Sequence, residues 1–411
     1  MIGGPEQRSE RSSTVYRVGT PEDHRPANAL ISLAFGNPGA TQRGVDRSAP
    51  ADMRVLAGQG GQQLAALHTG RLGQWWLGHR VPSAQVLRLG TAPNQGGRGY
   101  ATALMTGFLN ELHDAGVPTA TLFASTAALY RGAGFEAAGD WTEYKIRAEH
   151  LPRTTAPWRS RQLPLDDLSE ARALYDRVAA GRHGALDRDE SWWRQHLIGP
   201  DTDRVVQFIL DGPIPGQAED GPVGWALVSY SVEDHWKARL WVRDWGCLPG
   251  AERGLYGLLG GYGVLDGQVE WTGPDPDPAL LALPERRFEI GVRDLWYLRV
   301  VDLKQALTMR PYPEALRGTV RMRVNDPRCP WNTGTWLLEV AEGRGMVQPI
   351  SATATRTTMR IEPRGLGCLF TGYLDPDDLV RGGLLADGSP RELNLLRAAF
   401  CTRRPWVAEH Y

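Results

Sequence analysis

A glycine-rich segment at residues 90–105, GTAPNQGGRGYATALM, is the part of the sequence best suited to bind a charged ligand. Gly96, Gly97 and Gly99 fall within four positions, Arg98 stands among them, and a helical pattern follows at once. A turn of this kind leaves backbone N–H groups free at the start of a helix, where the helix dipole adds a partial positive charge. The segment therefore predicts a site for an anionic group, a phosphate above all.

Three classes of phosphate-containing ligand use such turns: nucleotides, dinucleotides and coenzyme A. A P-loop requires a lysine after its last glycine, whereas Tyr100 follows Gly99 here. A Rossmann turn lies at the start of a βαβ unit and has a third glycine, but several predicted strands come first here and Thr102 takes the place of that glycine. Nucleotide hydrolysis is excluded, the dinucleotide interpretation is weakened, and coenzyme A remains.

The stretch LRLGTAPNQGGRGYATAL resembles motif A of the GCN5-related N-acetyltransferases, V-x-V-x-P-x-x-[RQ]-x-x-G-x-[GA], with Pro93, Gly99 and Ala101 in register. The usual Arg or Gln is Gly96 here. The resemblance implies that acetyl-CoA binds as co-substrate, with its pyrophosphate held by backbone amides, and that the strand before the turn splays from its neighbour. The residues implied in binding acetyl-CoA are Leu89, Gly90, Thr91, Gly97, Arg98, Gly99, Tyr100, Ala101, Thr102, Ser125 and Thr126.

A second segment, ATLFASTAALYRGAGFEAAG, narrows the resemblance. Its pattern A-S-x-x-x-x-Y-x-x-x-G-[FY], carried by Ala124, Ser125, Tyr130, Gly134 and Phe135, is similar to the enhanced intracellular survival family of these acetyltransferases. Members of that family have two acetyltransferase-like domains and a third domain resembling sterol carrier proteins, at close to this length. The aromatic C-terminal residue fits the same family.

The resemblance implies a catalytic pair that is distant in the chain. Tyr130 would donate a proton to the departing CoA thiolate, and a reference pKa of ~10 keeps it protonated at neutral pH. The α-carboxylate of Tyr411 would take the proton of the amine, although a reference pKa of ~3.3 to 3.7 requires that burial raise it or that water mediate the transfer. Without the resemblance, Tyr130 is equally explained as a tyrosine packed at a helix end, and Tyr411 as part of a frayed tail.

The hydrophobic patterns around these residues predict a mixed sheet flanked by helices, and the resemblance implies that this sheet is splayed. Apolar and polar positions alternate in the strands before the turn, and apolar residues recur at helical spacing after it. In chain order we expect strands at 15–18 and within 63–92, a helix at 100–115, a strand at 119–125, a helix at 127–130 and a strand at 140–148, with a further helix at 20–35.

Composition breaks along the chain predict three domains, and the fold class is α/β and α+β. The resemblance implies that residues 1–150 form an active acetyltransferase domain, and the Pro- and Arg-rich segment after it suits a linker. It implies a second, degenerate acetyltransferase-like domain at residues 151–292, whose PGAERGLYG turn lacks closely spaced glycines, so we expect no CoA there. Residues 293–411 are predicted as an α+β domain with strands at LWYLRVV, TVRMRV, TWLLEV, TTMRIEP and CLFTGYL, and the resemblance implies that it is sterol carrier protein-like and that its C-terminus reaches the first domain's active site.

Composition limits the partners of the 411-residue chain. Its 46 basic and 47 acidic residues leave a formal charge of -1, so no overall field attracts nucleic acid or an anionic membrane. The four cysteines form no CxxC or Cys/His cluster, which argues against a structural zinc site and a disulfide framework. No apolar run approaches the ~18 residues of a membrane span. We expect a cytoplasmic protein with no metal, no nucleic-acid partner and no membrane partner.

The acceptor is less defined than the donor. Asn37, two residues after Phe35, and His410 are expected near the acceptor pocket, and Glu409 is the only acid among the last five residues. A polycationic acceptor such as an aminoglycoside favours carboxylates, so a peptide, a lysine-like amine or another secondary metabolite stays open. The alternatives are transfer from a longer acyl-CoA and a non-catalytic binding or scaffold role in which the third domain carries a lipid or a partner. The resemblance also suggests a homo-oligomer, a hexamer.

Other residues with chemical potential have simpler explanations. His68, His79 and His113 are isolated and are expected on the surface or in the core. The pairs Trp75-Trp76 and Trp192-Trp193 are expected in the core or in the wall of a pocket.

Overall fold

The computed structural model describes residues 14–36, 52–154, 156–199, 204–234, 237–261, 266–351 and 358–411. Its strands are β1 Val15–Val18, β2 Met53–Ala57, β3 Gln63–Gly70, β4 Gln74–Trp76, β5 His79–Val81, β6 Ser83–Thr91, β7 Thr119–Phe123, β8 Glu136–Arg147, β9 Arg159–Leu163, β10 Val205–Pro213, β11 Asp220–Asp234, β12 Lys237–Cys247, β13 Asp266–Gly273, β14 Phe288–Val300, β15 Gly318–Val324, β16 Gly334–Ala341, β17 Arg344–Pro349, β18 Met359–Ile361 and β19 Leu385–Ala386. Its α-helices are α1 Pro21–Ala34, α2 Tyr100–Asp114, α3 Ala127–Gly132, α4 Ser169–Ala179, α5 Glu190–Trp192, α6 Glu252–Gly260, α7 Leu303–Met309, α8 Pro363–Thr371, α9 Pro376–Arg381 and α10 Pro390–Ala399. None of the described helices has the length and apolar character needed to cross a bilayer.

Twelve strands form one continuous sheet, in the order β1-β2-β3-β6-β7-β14-β8-β13-β12-β11-β10-β9. Strands of the first predicted domain occupy one end and strands of the second occupy the other, and β8 joins the two ends by pairing with β13. Five strands of the third domain form a separate sheet, in the order β17-β16-β15-β18-β19, and β4 pairs with β5. The mixed sheets flanked by helices agree with the predicted fold class.

Strands β6 and β7 splay apart, as the resemblance implies. They run parallel and pair only where Ser83–Val86 faces Thr119–Leu122. Beyond Val86, β6 continues to Thr91 with β3 as its partner, and the β3/β6 register shifts by one residue between His68 and Thr69. The edge of β6 that faces β7 therefore carries backbone groups without a ladder partner, and a cleft opens between the two strands.

Helices α1 and α2 cover opposite faces of the sheet beside this cleft. Leu104 and Phe108 of α2 are fully buried and pack in one cluster with Leu89 of β6. Burial of each such side chain contributes about 1.5–3 kcal/mol. On the other face α1 crosses β6 at Gly90, where a Cβ would lie 2.9 Å from the Cα of Ile31. Glycine therefore allows the close approach that fixes α1 at the edge of the cleft.

Strand β14 is a component of the large sheet. Trp296 pairs with Phe123 of β7 on one side and with Gly139 of β8 on the other. We predicted LWYLRVV, residues 295–301, as the first strand of a third domain that begins at residue 293, whereas the structure inserts it between two strands of the first domain. The alternation of a strand predicts that it pairs but does not identify its partners. We propose that the third domain begins at α7.

Residues 368–374, CLFTGYL, were predicted as a strand, and this prediction is wrong because residues 363–371 form α8. A proline in the first turn favours a helix start, and Leu366 and Leu369 lie at helical spacing and are 1% exposed. Gly372, with a φ of 71°, ends the helix in the left-handed conformation that suits glycine.

Candidate active site

The glycine-rich turn joins β6 to α2 and leaves the N-terminus of the helix uncapped. Gly97 and Gly99 have φ angles of 76° and 81°, which glycine adopts without strain. No side chain caps α2, and its first hydrogen bond runs from Ala103 N–H to Gly99 O at 3.0 Å. The amides of residues 100–102 precede that bond and have no acceptor within the helix. The turn can therefore surround an anion with N–H donors.

A cavity of ≈ 880 Å³ opens where β6 and β7 separate. This volume is typical of a site for a small molecule or cofactor. Its wall comes from α1, β3, β6, the end of β7, α3, α5 and the C-terminal segment of the chain, and it includes Ser32, Arg88, Ser125, Tyr130, His410 and Tyr411. The cavity thus unites segments from all three predicted domains.

Helix α3 presents Tyr130 to this cavity. The side chain is 4% exposed, and its ring meets that of Phe135 edge-on at a centroid distance of 6.1 Å. Burial raises the pKa of Tyr130 to about 12. The phenol is therefore protonated throughout the neutral range and is available as a hydrogen-bond and proton donor.

The C-terminal segment, residues 404–411, is docked against the first two domains. Trp406 N–H donates to His183 O at 3.1 Å. The carbonyl of Ala408 accepts hydrogen bonds from Trp141 Nε1 at 3.3 Å and from Thr272 Oγ1 at 3.2 Å. These bonds leave little freedom for the segment, so the final residue has a defined position.

Tyr411 is held at the wall of the cavity. Its phenol oxygen lies 2.7 Å from Thr121 Oγ1 on β7, and its ring meets the rings of Phe123 and Trp192 edge-on, at centroid distances of 5.4 and 6.2 Å. Burial raises the pKa of the Tyr411 phenol. The last residue of the chain, which carries the α-carboxylate, therefore lines the same cavity as Tyr130.

Arg188 anchors the C-terminal segment through Glu409. The guanidinium pairs with Glu409 through Nε and with both carboxylate oxygens of Asp244 at 2.8 Å each. All three side chains are at most 7% exposed, and the rings of Tyr175 and Trp193 lie against the guanidinium at 3.9 and 5.1 Å. One buried cation therefore binds two buried carboxylates, one of which belongs to the docked segment.

We expect Arg188→Met to lower the free energy of unfolding by about 3–5 kcal/mol, because it leaves two buried carboxylates without a cation. Glu409→Gln is the matched control, since the Arg188–Asp244 pair that it leaves is neutral as a unit, and its loss should be at most about 1 kcal/mol. Urea unfolding of both variants measures the difference. Equal losses would contradict the assigned role of Arg188.

The structure brings some predicted site residues together and separates others. Leu89, Ser125, Tyr130 and Tyr411 line the cavity. Gly90 and Thr91 continue β6 towards the turn formed by Gly97, Arg98 and Gly99. Residues 100–102 begin α2 after that turn. Thr126 is the exposed N-cap of α3. Phe35 and His410 also line the cavity, Glu409 is bound by Arg188, and Asn37 lies outside the described residues.

Sequence reasoning missed several side chains of the cavity wall, among them His68 and Arg88. His68 is 3% exposed and its Nε2 lies 2.8 Å from Asn28 Oδ1. His79 is exposed, and His113 stacks on Trp331 at 4.0 Å. The sequence offered no signal for His68 and Arg88 because they meet only through β3–β6 pairing.

The chain matches known families in three successive segments. Residues 15–138 and 184–300 each match an acetyltransferase (GNAT) domain, and residues 303–408 match the sterol carrier protein domain. An N-acetyltransferase of Streptomyces avermitilis is 28% identical over 352 residues, which cover 80% of this chain and 82% of that protein. An N-acetyltransferase of Streptomyces coelicolor is 29% identical over 337 residues, which cover 76% of this chain and 78% of that protein.

Solved structures share the whole architecture. A GCN5-related N-acetyltransferase from Anabaena variabilis has a TM-score of 0.88 at 25% identity, covering 97% of this chain and all of that one (100%). Eis1 from Mycobacterium abscessus has a TM-score of 0.78 at 23% identity, with coverage of 97% and 100%. The fold and its domain matches define an acyltransferase of the GNAT class. Two GNAT domains followed by a sterol carrier protein domain are the organisation that the sequence predicted, and they support the resemblance to the enhanced intracellular survival family of GCN5-related N-acetyltransferases.

Proposed function

We propose that the first domain transfers the acetyl group of acetyl-CoA to an amine of a small molecule or peptide in the cavity between β6 and β7. The observation that supports this most is that Tyr130 and Tyr411, distant in the chain, line one cavity next to the splayed strands. A homo-hexamer belongs to the proposal only through the family resemblance, and a cytoplasmic location only through the composition of the sequence.

In the proposed reaction a bond forms between the amine nitrogen and the acetyl carbon, and the carbon–sulfur bond of the thioester breaks. The Tyr411 α-carboxylate takes the proton that the nitrogen loses, and the Tyr130 phenol gives its proton to the sulfur. A proton then returns from the carboxylic acid to the tyrosinate through solvent. Acid and base catalysis of this kind contributes about 10²–10⁴-fold to the rate.

Backbone groups of the chain would bind most of acetyl-CoA, the acetyl donor. Amides of the Gly97–Thr102 turn would bind the pyrophosphate, and Arg98 would add positive charge. The exposed backbone edge of Leu89, Gly90 and Thr91 would align the acetyl-pantetheine arm. Ser125 and Thr126 would contact the arm from the other side of the cleft.

Gly97→Ala should weaken acetyl-CoA binding about tenfold, because a φ of 76° costs a residue with a Cβ roughly 1–2 kcal/mol and distorts the turn. Gly96→Ala is the matched control. Gly96 has a φ of -57°, and a Cβ there meets only Pro93 O at 3.4 Å, so its affinity should stay within about twofold. Isothermal titration with acetyl-CoA measures the affinity of each variant. Equal affinities of the two variants would count against the turn as the donor site.

We propose no acetyl-CoA site in the second domain. At the start of α6 the Glu252 carboxylate accepts the N–H of Gly250 at 2.8 Å, so a negative charge already occupies the helix N-terminus. Trp158 covers the next turn of this helix, since a Cβ on Gly254 would lie 2.5 Å from its ring. Both features support a single donor site, in the first domain.

Mass spectrometry of an amine library incubated with acetyl-CoA and the protein tests the proposed function. Acetylated amines that depend on the protein are expected, with one equivalent of CoA released per product. Titration that detects acetyl-CoA binding without product from any amine would favour a binding or scaffold role instead. A parallel panel of longer acyl-CoA thioesters identifies the preferred donor.

A further inference from the structure

The wall of the cavity carries a cation, Arg88, that forms no ion pair with a carboxylate of the described residues. Arg88 lies on β6 directly opposite His68 on β3. Side chains of an antiparallel strand alternate between faces, so Arg88 and Gly90 point to the face that α1 covers, whereas Leu89 points to the core under α2. His68 lies on the same face, since its Nε2 meets Asn28 of α1. Arg88 therefore faces the cavity at its α1 side.

The other groups near Arg88 do not neutralise it. Within the described ranges Arg88 forms no ion pair, and its side chain is exposed to the cavity. Burial and the charge of Arg88 lower the pKa of His68 to about 4, which keeps that ring neutral. On α1, Asp23 is paired with Arg17. Asp52, which directly precedes β2 and also lines the cavity, has interactions of its own.

The second arginine of the wall differs in this respect. Arg71 is paired with Glu111, which also binds Arg54 at 2.6 and 2.7 Å. The Arg71 guanidinium is therefore held by an ion pair within the protein, in which one carboxylate binds two arginines. Among the described residues of the cavity wall, Arg88 is thus the arginine that has no ion pair.

Carboxylates concentrate at the opposite side of the cavity. Asp294 meets His410 Nε2 at 3.0 Å, Asp189 caps α5 through Trp192 N–H at 2.7 Å, and Tyr411 adds the terminal carboxylate. Apart from Asp52, which precedes β2, the described charges of the wall are therefore separated, with Arg88 beside α1 and carboxylates beside the C-terminal segment. A molecule with an ammonium group at one end and an anionic group at the other complements this arrangement.

We propose that the acceptor is an amine that also carries a carboxylate, and that Arg88 binds the carboxylate while the amine faces the C-terminal segment. This inference rests on the proposed acetyl transfer and narrows its substrate class. Arg88 then acts as a specificity-determining residue, because guanidinium–carboxylate hydrogen bonds are charge-assisted and frequently bidentate. A polycationic acceptor gains nothing from this end of the cavity.

Matched amines test the inference. Binding to the protein saturated with CoA is measured by calorimetry for 6-aminohexanoate, 6-aminohexanamide and hexylamine, and for L-lysine and cadaverine. The comparison of O-phosphoethanolamine with ethanolamine tests whether a phosphate contributes to binding as a carboxylate does. Initial rates with acetyl-CoA are measured for the same amines. Because binding needs no turnover, failure of the inference is separate from failure of the proposed function, which the rates report.

We expect 6-aminohexanoate and L-lysine to bind at least tenfold more tightly than their counterparts that lack the carboxylate. Arg88→Gln should reduce this ratio to within about threefold, Arg88→Lys should retain most of it, and Arg88→Glu should reverse it. Arg391→Gln, an exposed site on α10, is the control for an unspecific loss of positive charge. Equal or weaker binding of the acids, no measurable binding of any acid, or a ratio that persists in Arg88→Gln would overturn the inference. If Arg88→Gln lost tenfold in acetyl-CoA affinity while the affinity ratio between the amines stayed unchanged, Arg88 would belong to the donor site. That result would also overturn the inference.

Discussion

One alanine added after Tyr411 is expected to lower kcat by about 10²–10⁴-fold, the range that a general base contributes. The addition converts the terminal carboxylate into a peptide carbonyl, which has no useful basicity, and carries the new carboxylate about 3.8 Å further along the chain. Acetyl-CoA affinity should stay within about twofold, because the glycine-rich turn is untouched. Steady-state rates with a good amine and calorimetry with acetyl-CoA measure the two effects.

The matched control for this experiment is Tyr411→Phe. It keeps the α-carboxylate and removes only the phenol bond to Thr121, which is 2.7 Å long. We expect a loss of at most about tenfold in kcat, from looser positioning. The bonds of Ala408 to Trp141 and Thr272 lie upstream of the change, so the segment should stay docked in both variants. An extended chain with the kcat of the wild type would remove the Tyr411 carboxylate from the mechanism.

Local patterns in the sequence predicted the elements around the proposed donor site. The helix expected at residues 100–115 is α2, and the strand and short helix expected around Tyr130 are β7 and α3. These elements depend on neighbours in the chain: glycines that adopt a positive φ, a helix that follows at once, and apolar residues at helical spacing. The same local signals failed at α8, where alternating apolar residues were taken for a strand although a proline stands in the first turn.

Long-range pairing could not be predicted in this way. Nothing in residues 288–300 indicates that β14 inserts between β7 and β8. Arg188 and Glu409 lie 221 residues apart and appear in the sequence as ordinary surface charges, yet both are buried together. His68 and Arg88 become neighbours only because β3 pairs with β6. The family resemblance supplied a docked C-terminus, whereas the contacts that hold it and the charges of the acceptor cavity required the structure.

Tyr130→Phe is expected to lower kcat by about 10²–10⁴-fold while acetyl-CoA and amine affinities stay within about threefold. Phenylalanine keeps the ring and its contact with Phe135 and removes only the proton donor. Since burial raises the pKa of Tyr130 to about 12, ionisation of this phenol should cause no fall in the wild-type rate between about pH 6 and pH 10. Rates across this pH range, for the wild type and the variant, test both expectations.

Tyr256→Phe provides the comparison that separates chemistry from packing. Tyr256 is a fully buried tyrosine of α6 whose hydroxyl has no hydrogen-bond partner in the described part of the chain, so its loss removes a similar group from a similar environment outside the cavity. Its kcat should match the wild type within about twofold. Comparable losses in the two variants would mean that the Tyr130 hydroxyl acts through stability, and an unchanged kcat in Tyr130→Phe would mean that the thiolate leaves without it. A loss confined to Tyr130→Phe, with the donor still bound, is the pattern expected of a phenol that donates to the reacting thioester, because the substitution leaves the charge of the resting cavity unchanged.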